Sequence, residues 1–600
     1  MHLASEAVPE QDRQAGRAGW QHAPERARPW RRTLTAIRPG AGALVAGYLA
    51  QVLFRLFLVR HFAYPSIHPD EESYLVLARV LAGRPSTEMP VGVVIPGGYP
   101  LLISPALRLA DDPATAYHLV MGVNSLLNAL VFPLAWVALR RLGLGRAQAY
   151  VCATATALLP PVVFYAQYAM TDTVMPVLVL AWALCLHGWF ADGSTARRAG
   201  HAAGAGLTAA YAMATHDRGG VVVALTAGLL AGAALLRWAP WRTLLAGLGA
   251  LAAGVFGAQA LNGWLRSRFT APASSVGDFL WQGLTDPQAA GRTLTRTAGQ
   301  IWYVAVSTWT VGAVGIVVCL LAVAGQRVPR AFRIVGGALL ALLAGIALAA
   351  AAALPDDKRI DDWVYARYAA CLVPTLFLVG CAALVRLRGR ALGAVLAGAV
   401  GLTLLFGGAV LLSAGPLLRT QTFTPWGMPD ALFLAGDWHA LHILRTTAAA
   451  FAVLCAVVLV RALTSRQALW SGLALTLFAG VATVTITARI SDPYSEGARI
   501  DAVRFAERTG LRLDDNVVFG WGIDRPVRRV QAYQIYLGRV WYLNPRYHPV
   551  PPAATALVLP LPLPRAGRYP PPESAWPRPS PPWFIERVDP QRRWTVWRRH

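Results

Sequence analysis

Apolar stretches of about 20 residues, separated by short polar connectors, follow one another along most of this chain. A stretch of that length, folded as a helix, matches the hydrocarbon thickness of a bilayer. Two shorter apolar runs, 74–81 and 99–109, predict helices lying along the membrane surface. The long stretches predict about thirteen membrane-spanning helices, at 41–60, 115–138, 147–166, 172–190, 201–215, 220–236, 243–262, 301–324, 333–354, 368–385, 391–413, 441–460 and 468–488.

The pattern changes near residue 489, where long apolar stretches give way to mixed polarity. An amphipathic pattern at 498–508 predicts a short helix, and strand-like runs occupy 516–521, 556–561 and 583–597. Prolines between 549 and 582 indicate irregular connections. The predicted fold is therefore an all-α polytopic membrane protein, 41–489, followed by a small α/β or β-rich domain, 490–600.

The distribution of charged residues predicts how the helices are oriented in the membrane. Residues 1–40 are rich in Arg, Pro and Ala, which predicts a disordered cytoplasmic tail. Alternate connectors carry arginines, as at 140–146, 197–198 and 386–390, whereas the connectors between them carry most of the acids. By the positive-inside rule the arginine connectors are cytoplasmic. An odd number of spans then places the C-terminal domain outside, and we expect a multi-pass plasma membrane protein.

Composition excludes several classes of protein. The chain is 55% hydrophobic with a mean hydropathy of +0.43, unlike an ordinary soluble enzyme. Its formal net charge of +24 raises nucleic-acid binding as an alternative. We reject it because the arginines lie in the termini and the short connectors, where they fit topology signals and lipid headgroups. The six cysteines lie in apolar stretches without a CxxC pair, which argues against disulfides and zinc.

The first candidate for chemistry is the segment 68–72, His-Pro-Asp-Glu-Glu, just beyond the first apolar stretch. Three carboxylates beside a bilayer are costly to desolvate unless water, a cation or a substrate compensates them. Asp70 could act as a general base toward an incoming hydroxyl. The structural alternative is equally good on sequence alone: Asp70 as the N-cap of a helix over 71–82.

Three further segments carry charge on the same predicted side. Thr171-Asp172 offers a second acid, or a helix N-cap. In 216–220, His-Asp-Arg-Gly-Gly, Arg218 suits phosphate oxygens and the glycines would let a phosphate approach the backbone; the alternative is a tight hairpin with an Asp–Arg pair. Arg367-Tyr368 could reach a second anionic group, or anchor the helix in the headgroup region.

Taken in order, these segments resemble the C-type membrane glycosyltransferases (the GT-C fold). The likeness covers about residues 41–490, is closer to the protein O-mannosyltransferase and lipid A aminoarabinose transferase branch, and leaves the C-terminal domain unassigned. It is carried by Asp70-Glu71 with Tyr74, Ala78 and Gly83, by Thr171-Asp172, by Arg218, and by Arg367-Tyr368 followed by Pro374.

The resemblance implies an inverting transfer of a sugar from a polyprenyl-phosphate donor to an acceptor hydroxyl on a glycan, lipid or protein. Asp70 and Glu71 would be the catalytic residues of an outer loop, 61–114, with Asp70 as the general base. Glu71 and Asp172 would position the acceptor or a cation. The implied phosphate-binding residues are Arg218 and Arg367, with His216 and Tyr368 as further substrate-binding residues. Some members of the family use a divalent cation, so Mg²⁺ or Mn²⁺ at Asp70 and Asp172 is a candidate cofactor.

Alternatives stay open at this point. Glu72, His68 and His216 compete with Asp70 for the role of base. A transporter or flippase for lipid-linked sugars would also be polytopic, although transporters place charged sites near the membrane midplane. A polysaccharide polymerase or ligase would use lipid-linked sugars on the same side. The sequence contains no Walker A, GxGxxG or HExxH motif, so it does not support an ATP-driven pump, a dinucleotide enzyme or a zincin protease.

Overall fold

A computed structural model describes residues 38–67, 69–85, 87–90, 93–191, 193–269, 276–354, 358–463, 467–523, 533–562, 571–576 and 583–599. Most of the predicted N-terminal tail and the competing base His68 lie outside the described residues. The chain divides into two units, 1–47 and 48–600. The larger unit contains the polar clusters and the C-terminal sheet described below.

Helices dominate the described residues. They are α1 (Arg38–Leu58), α2 (Asp70–Leu81), α3 (Gly98–Leu109), α4 (Pro113–Ala129), α5 (Val131–Arg141), α6 (Arg146–Ala157), α7 (Pro160–Val163), α8 (Met175–Ala191), α9 (Thr195–Thr215), α10 (Gly219–Leu235), α11 (Trp241–Arg266), α12 (Val276–Thr285), α13 (Pro287–Ser307), α14 (Val311–Ala324), α15 (Arg330–Ala353), α16 (Asp361–Val364), α17 (Ala366–Ala369), α18 (Val373–Arg386), α19 (Gly389–Ala414), α20 (Pro429–Ala435), α21 (Ile443–Leu463), α22 (Gln467–Ile486) and α23 (Asp492–Thr509).

The protein is a multi-pass membrane protein, as predicted. Within the described residues, 9 helices are long and apolar enough to cross a bilayer, or up to 11 if each of two bent pairs is one span. The shorter apolar helix α10 adds to these, and the predicted count of about thirteen is compatible with this result. The helices predicted at 74–81 and 99–109 form as α2 and α3, and their position along the membrane surface stays a prediction.

One bent pair explains the arginine inside the first span. α6 and α7 meet at an angle of 59°, where prolines 160 and 161 interrupt the helix. Pro161 has no N–H for the carbonyl of Ala157 four residues earlier. Arg55 fills that place: its Nη2 donates to the Ala157 oxygen at 2.7 Å, and its Nε donates to Asn128 Oδ1 at 2.8 Å. The charge is therefore buried inside the protein rather than exposed to lipid.

The other bent pair corrects a prediction. The stretch 301–324 is not one straight span, because α13 and α14 meet at 114°. Trp309 and Thr310 adopt positive φ angles of 54° and 65°, which an α-helix cannot contain. Thr308 Oγ1 secures the break by accepting from Gly312 N at 2.9 Å. The sequence hides this bend because the residues around it are as apolar as a continuous helix would require.

The connectors collect at two ends of the helix bundle. At one end, Arg141 Nη1 donates to the Leu184 oxygen and Arg386 Nη1 donates to the Leu142 oxygen, both at 2.6 Å. We call this the Arg386 end. α8 runs from there to the opposite end, the Asp172 end, where the acidic connectors meet. This segregation fits the alternation predicted from the arginines; which end faces the cytoplasm remains a prediction.

The C-terminal region forms the small sheet domain that the sequence predicts. Its strands are β1 (Val517–Phe519), β2 (Val540–Tyr542), β3 (Ala556–Pro560), β4 (Trp583–Asp589) and β5 (Trp594–Arg599). The order is β2-β1-β3-β5-β4; β1 runs parallel to β2 and β3, and β5 is antiparallel to β3 and β4. β2 was not predicted, and the run 583–597 is a hairpin rather than one strand. The predicted helix 498–508 is longer, so the proposed boundary at 489/490 falls inside the helical run 467–509.

This domain packs on the helix that begins with Asp70. The buried Arg79 of α2 donates from Nη2 to the carbonyls of Ile535 and Gly538, at 3.2 and 3.0 Å. Burial lowers the pKa of Arg79 to about 10. Tyr533 and Tyr536 donate to backbone oxygens at the start of α4 and in α3, at 2.8 and 2.7 Å. The domain therefore fixes α2 from the side opposite its polar N-terminus.

Candidate active site

Asp70 lies at the edge of the Asp172 end, as the first residue of α2. Pro69 is the N-cap and supplies no side-chain cap, so the interpretation of Asp70 as an N-cap is wrong. The carboxylate instead pairs with Arg367 Nη1 and remains 37% exposed on its side chain. Its position in the first turn is favourable, because the helix N-terminus carries partial positive charge. Of the predicted site acids, it is the one that an incoming molecule can reach.

Asp172 is the buried centre of the site. It lies in a single 3₁₀ turn, Thr171–Thr173, just before α8, and is 3% exposed. This turn has Met170 at its cap, so the N-cap interpretation of Asp172 is also wrong. Oδ1 accepts from Arg218 Nη2 at 2.6 Å and Oδ2 accepts from Arg367 Nε at 2.7 Å. One carboxylate therefore orients two guanidinium groups.

Arg218 reaches Asp172 from the turn between α9 and α10. Its Nη1 donates to the carbonyls of Arg367 and Tyr368, at 3.0 and 2.8 Å, and its guanidinium lies 5.4 Å from the centroid of the Tyr368 ring. The predicted role of Gly219 needs correction. A side chain on Gly219 would come within 2.1 Å of the Ala212 backbone, so this glycine permits close packing of two helices rather than approach of a phosphate.

His216 supports the turn that presents Arg218. Its Nδ1 accepts from the Arg218 backbone N–H at 3.2 Å, and its ring lies 6.1 Å from that of Tyr368. Burial and the neighbouring Arg218 charge lower the pKa of His216, although Asp172 opposes them. The imidazole is therefore neutral at physiological pH, with Nδ1 as an acceptor.

Four of the predicted site residues thus form one network, which we call the arginine cluster: Asp70, Asp172, Arg218 and Arg367. The two acids balance the two arginines in charge. Such compensation matters because an unpaired charge in this buried setting would cost several kcal/mol, roughly 3–5 when one partner is removed. Arg367 is central, since it is the residue that joins the exposed acid to the buried one.

Glu71 has a different environment from its neighbour. It is fully buried, and both carboxylate oxygens are saturated. Oε2 accepts from the N–H groups of Ser66 and Ile67, each at 2.8 Å; Oε1 accepts from Tyr117 Oη at 2.5 Å and Ala169 N at 2.8 Å. Burial raises the pKa of Glu71, while the four hydrogen bonds oppose that shift. We call these five residues the Glu71 cage.

The cage holds the loop that carries Asp172. Further hydrogen bonds fix the same loop: Asn124 Nδ2 donates to the Tyr168 oxygen at 2.7 Å, and Tyr168 Oη donates to Ser491 Oγ at 2.9 Å. Gln167 Nε2 donates to Thr487 Oγ1 at 2.8 Å. Sequence analysis did not find these residues, because lone polar residues within apolar stretches give no motif.

A wall of aromatic residues lies beside Arg367 and was also not predicted. The Arg367 guanidinium is 5.5 Å from the centroid of Trp426, and the Tyr165 ring is 5.3 Å from the same indole. Behind it, the buried Asp430 accepts from Tyr303 Oη at 2.7 Å through Oδ2. Its Oδ1 is buried without a hydrogen-bond partner among the described residues. Burial raises the pKa of Asp430 to about 7.

The donor set does not suit the candidate metal ion. Both oxygens of Asp172 accept from guanidinium groups, and Asp70 faces Arg367, so Mg²⁺ or Mn²⁺ there would meet fixed positive charge. Elsewhere in the described part of the chain, no group of three or more His, Cys, Asp or Glu residues is placed to hold a metal. The two arginines are therefore the positive groups of this site.

Comparison with known proteins defines the fold. No protein-family model matches the sequence, and no curated protein matches it as a relative. Among solved structures, ArnT from Cupriavidus metallidurans bound to undecaprenyl phosphate matches with a TM-score of 0.54, over 93% of this chain and 98% of that one. The chain has the ArnT fold. ArnT in the apo state matches over the same shares with a TM-score of 0.50, and identity is 16% in both comparisons.

The ArnT fold accounts for nearly the whole chain, including the C-terminal region that the sequence left unassigned. It thereby confirms the predicted architecture, a GT-C-like membrane domain followed by a small sheet domain. At 16% identity the likeness concerns the fold. The roles of individual residues rest on the geometry of the arginine cluster.

Proposed function

We propose that this protein is a membrane glycosyltransferase that moves a sugar from a polyprenyl-phosphate donor to an acceptor hydroxyl, with inversion, on the extracytoplasmic face. The observation that carries the proposal is the arginine cluster: an accessible carboxylate, Asp70, paired with the buried Arg367, which Asp172 joins to Arg218. The fold of an ArnT structure bound to undecaprenyl phosphate supports a lipid phosphate as the anionic ligand.

Arg367 would be the main contact for the donor phosphate. Asp172 and the backbone carbonyls at 367 and 368 occupy much of the Arg218 fork, so that arginine serves chiefly to keep positive charge behind the site. Arg367 is bound to Asp172 through Nε and reaches the exposed edge through Nη1. A phosphate arriving there competes with Asp70 for the same guanidinium.

This competition links donor binding to base activation. Once the phosphate pairs with Arg367, Asp70 is released toward the acceptor. The acceptor oxygen then attacks the anomeric carbon, its proton passes to Asp70, and the bond from the anomeric carbon to the phosphate oxygen breaks with its electron pair. Arg367 and Arg218 stabilise the negative charge that develops on the leaving phosphate. Attack opposite the leaving group inverts the anomeric configuration.

Glu71 has a positioning role in this proposal. Its oxygens each accept two hydrogen bonds, so it has no free acceptor for a substrate hydroxyl in this state. It holds the start of α2 and the loop before Asp172 at a fixed separation. The catalytic role predicted from sequence for Glu71 therefore passes to Asp70 alone.

The test is transfer by purified protein in lipid nanodiscs, with a panel of polyprenyl-phosphate sugars and mass spectrometry of the products. Asp70→Asn keeps the shape of the side chain and removes the base, so we expect the transfer rate to fall by about 10²–10⁴-fold. Donor binding should be retained or strengthened, because the neutral amide competes less well with phosphate for Arg367.

Asp111→Asn is the matched control. Asp111 lies in the same outer region with a fully exposed side chain, and its nearest ion-pair contact, to Arg84, is 3.7 Å long. Its substitution should leave transfer unchanged. Full activity of Asp70→Asn would refute the proposed base. Transfer of a preformed glycan chain rather than one sugar would instead favour a ligase.

A further inference from the structure

A cavity lies at the Arg386 end, away from the arginine cluster. It has a volume of about 720 Å³ and is lined almost wholly by apolar side chains from α5, α8, α14, α15, α18 and α19. This volume falls within the range of roughly 300–1,000 Å³ typical of small-molecule sites. On α18 the lining runs from Thr375 to Arg386, about 16 Å of helix. The cavity is therefore about half a bilayer deep.

Two arginines lie where this cavity comes nearest to the Arg386 end of the bundle. Arg141 and Arg386 both line it, at the ends of α5 and α18. The Arg141 guanidinium donates to the Leu184 carbonyl, and the Arg386 guanidinium donates to the Leu142 carbonyl. Arg386 is exposed, and no acidic residue lines the cavity within the described part of the chain. The deeper lining is apolar apart from Thr375 and includes Leu378 and Leu339, and His187 of α8 also lines the cavity.

The cavity opens toward lipid rather than only toward water. Leu321 of α14 lines it and is 54% exposed, and Ala391 and Ala394 of α19 also line it and are exposed. In a membrane-spanning bundle, exposed apolar side chains of this kind face hydrocarbon. The opening therefore admits a molecule with an apolar chain from the bilayer, while its polar head stays level with the arginines.

We propose that this cavity binds an anionic phospholipid from the leaflet at the Arg386 end, with the phosphate between Arg141 and Arg386 and an acyl chain in the apolar interior. Basic pockets between membrane helices are known to suit such headgroups. The proposal goes beyond the glycosyltransferase function and does not depend on it, because the donor site lies at the opposite end. Asp172 lies just before α8 and Arg367 lies just before α18, whereas the cavity lining lies farther along these two helices, toward their other ends.

The test compares phosphatidylglycerol with phosphatidylcholine by native mass spectrometry of the full chain. We expect the wild type to prefer phosphatidylglycerol by at least about fivefold, since a nearby arginine contributes about 1 kcal/mol toward an anionic headgroup. Arg386→Gln should remove most of this preference without abolishing binding of either lipid. Ala183→Trp, which fills the cavity from α8, should weaken both lipids; Ala183→Leu is the milder variant if tryptophan prevents folding.

Two matched controls lie outside the cavity. Arg390→Gln removes an exposed arginine at the same end. Leu405→Trp adds bulk on α19 at a residue that is 68% exposed. Neither should alter the preference or the occupancy. Equal binding of the two lipids by the wild type, or unchanged binding in the cavity variants, would overturn the proposal. Undecaprenyl phosphate that displaces phosphatidylglycerol, and that is itself lost in Ala183→Trp, would reassign the cavity to a polyprenyl lipid.

Discussion

Asp70 and Glu71 are adjacent in the chain, yet one belongs to the arginine cluster and the other to the Glu71 cage. In the cluster, carboxylates are compensated by charges, and the exposed Asp70 can exchange its partner for a ligand. In the cage, one carboxylate is compensated by four neutral donors that lie in different segments. The difference shows that burial of an acid does not by itself indicate catalysis. A buried acid is a candidate for catalysis when a ligand can take the place of one of its bonded partners.

A substitution of Arg367 should have the largest effect and tests whether the arginine cluster differs from the Glu71 cage. Arg367→Gln removes the guanidinium shared by Asp70 and Asp172, and leaves Asp172 with one arginine instead of two. We expect loss of measurable transfer and a stability cost of roughly 3–5 kcal/mol, because a buried acid loses a charged partner. The measurements are the transfer rate and the thermal midpoint in detergent.

Arg499→Gln is the control for that variant. Arg499 also pairs with an acid, Glu496, but the two side chains are 49% and 53% exposed, so its removal should affect both readouts little. Arg367→Lys adds a finer comparison, since lysine keeps the charge but not the planar fork; it should recover stability better than transfer. A fully active Arg367→Gln would mean that the cluster is structural, like the cage.

For the Glu71 cage we expect the opposite result: a substitution should lower stability and leave the chemistry of the folded protein unchanged. Glu71→Gln replaces one acceptor oxygen with a donor, so two of the four donors lose their acceptor. At about 1–3 kcal/mol for each, we expect a loss of roughly 2–6 kcal/mol in stability. The folded fraction should keep the wild-type pH profile of transfer and the wild-type KM for the acceptor.

The exposed Glu496 supplies the control, because Glu496→Gln alters only a surface pair with Arg499. It should shift neither the thermal midpoint nor the rate. An unchanged midpoint in Glu71→Gln together with a lost rate would contradict the cage interpretation and return the catalytic role to Glu71.

Much of this arrangement could be predicted from the sequence, because many of its signals lie within short segments of the chain. Hydropathy and alternating arginines mark the helices and the two ends, because each depends on a short window of residues. Asp70, Asp172, Arg218 and Arg367 were found because each lies in a polar segment beside an apolar stretch. The Glu71 cage, Trp426 and Asp430 could not be found, since their partners lie far along the chain. The bend at Trp309 and Thr310 depends on backbone angles that composition does not reveal.

Asp430 is a third kind of buried acid. Neither an arginine nor a set of four neutral donors compensates it: Tyr303 donates to Oδ2, and Oδ1 has no hydrogen-bond partner among the described residues. Its pKa of about 7 lies above the ordinary value of 3.8 because of burial. The unfolded chain therefore loses this proton near its ordinary pKa, whereas the folded protein keeps it until about pH 7. Between these values the folded state binds more protons, so stability falls as the pH rises and levels off above the folded pKa. The span corresponds to roughly 4 kcal/mol.

Asp430→Asn removes this titration while keeping an acceptor for Tyr303. We expect its thermal midpoint in detergent to exceed that of the wild type by more at about pH 8 than at about pH 5, where the wild-type carboxyl is protonated. Asp437→Asn is the control: Asp437 is more exposed, and hydrogen bonds from His439 and His442 lower its pKa, so its titration lies below that range. An equal difference between Asp430→Asn and wild type at both pH values would show that Asp430 is ionised in the folded protein. A buried acid would then be held in charged form by neutral donors, as Glu71 can be, and Asp430 would join the cage class rather than form its own.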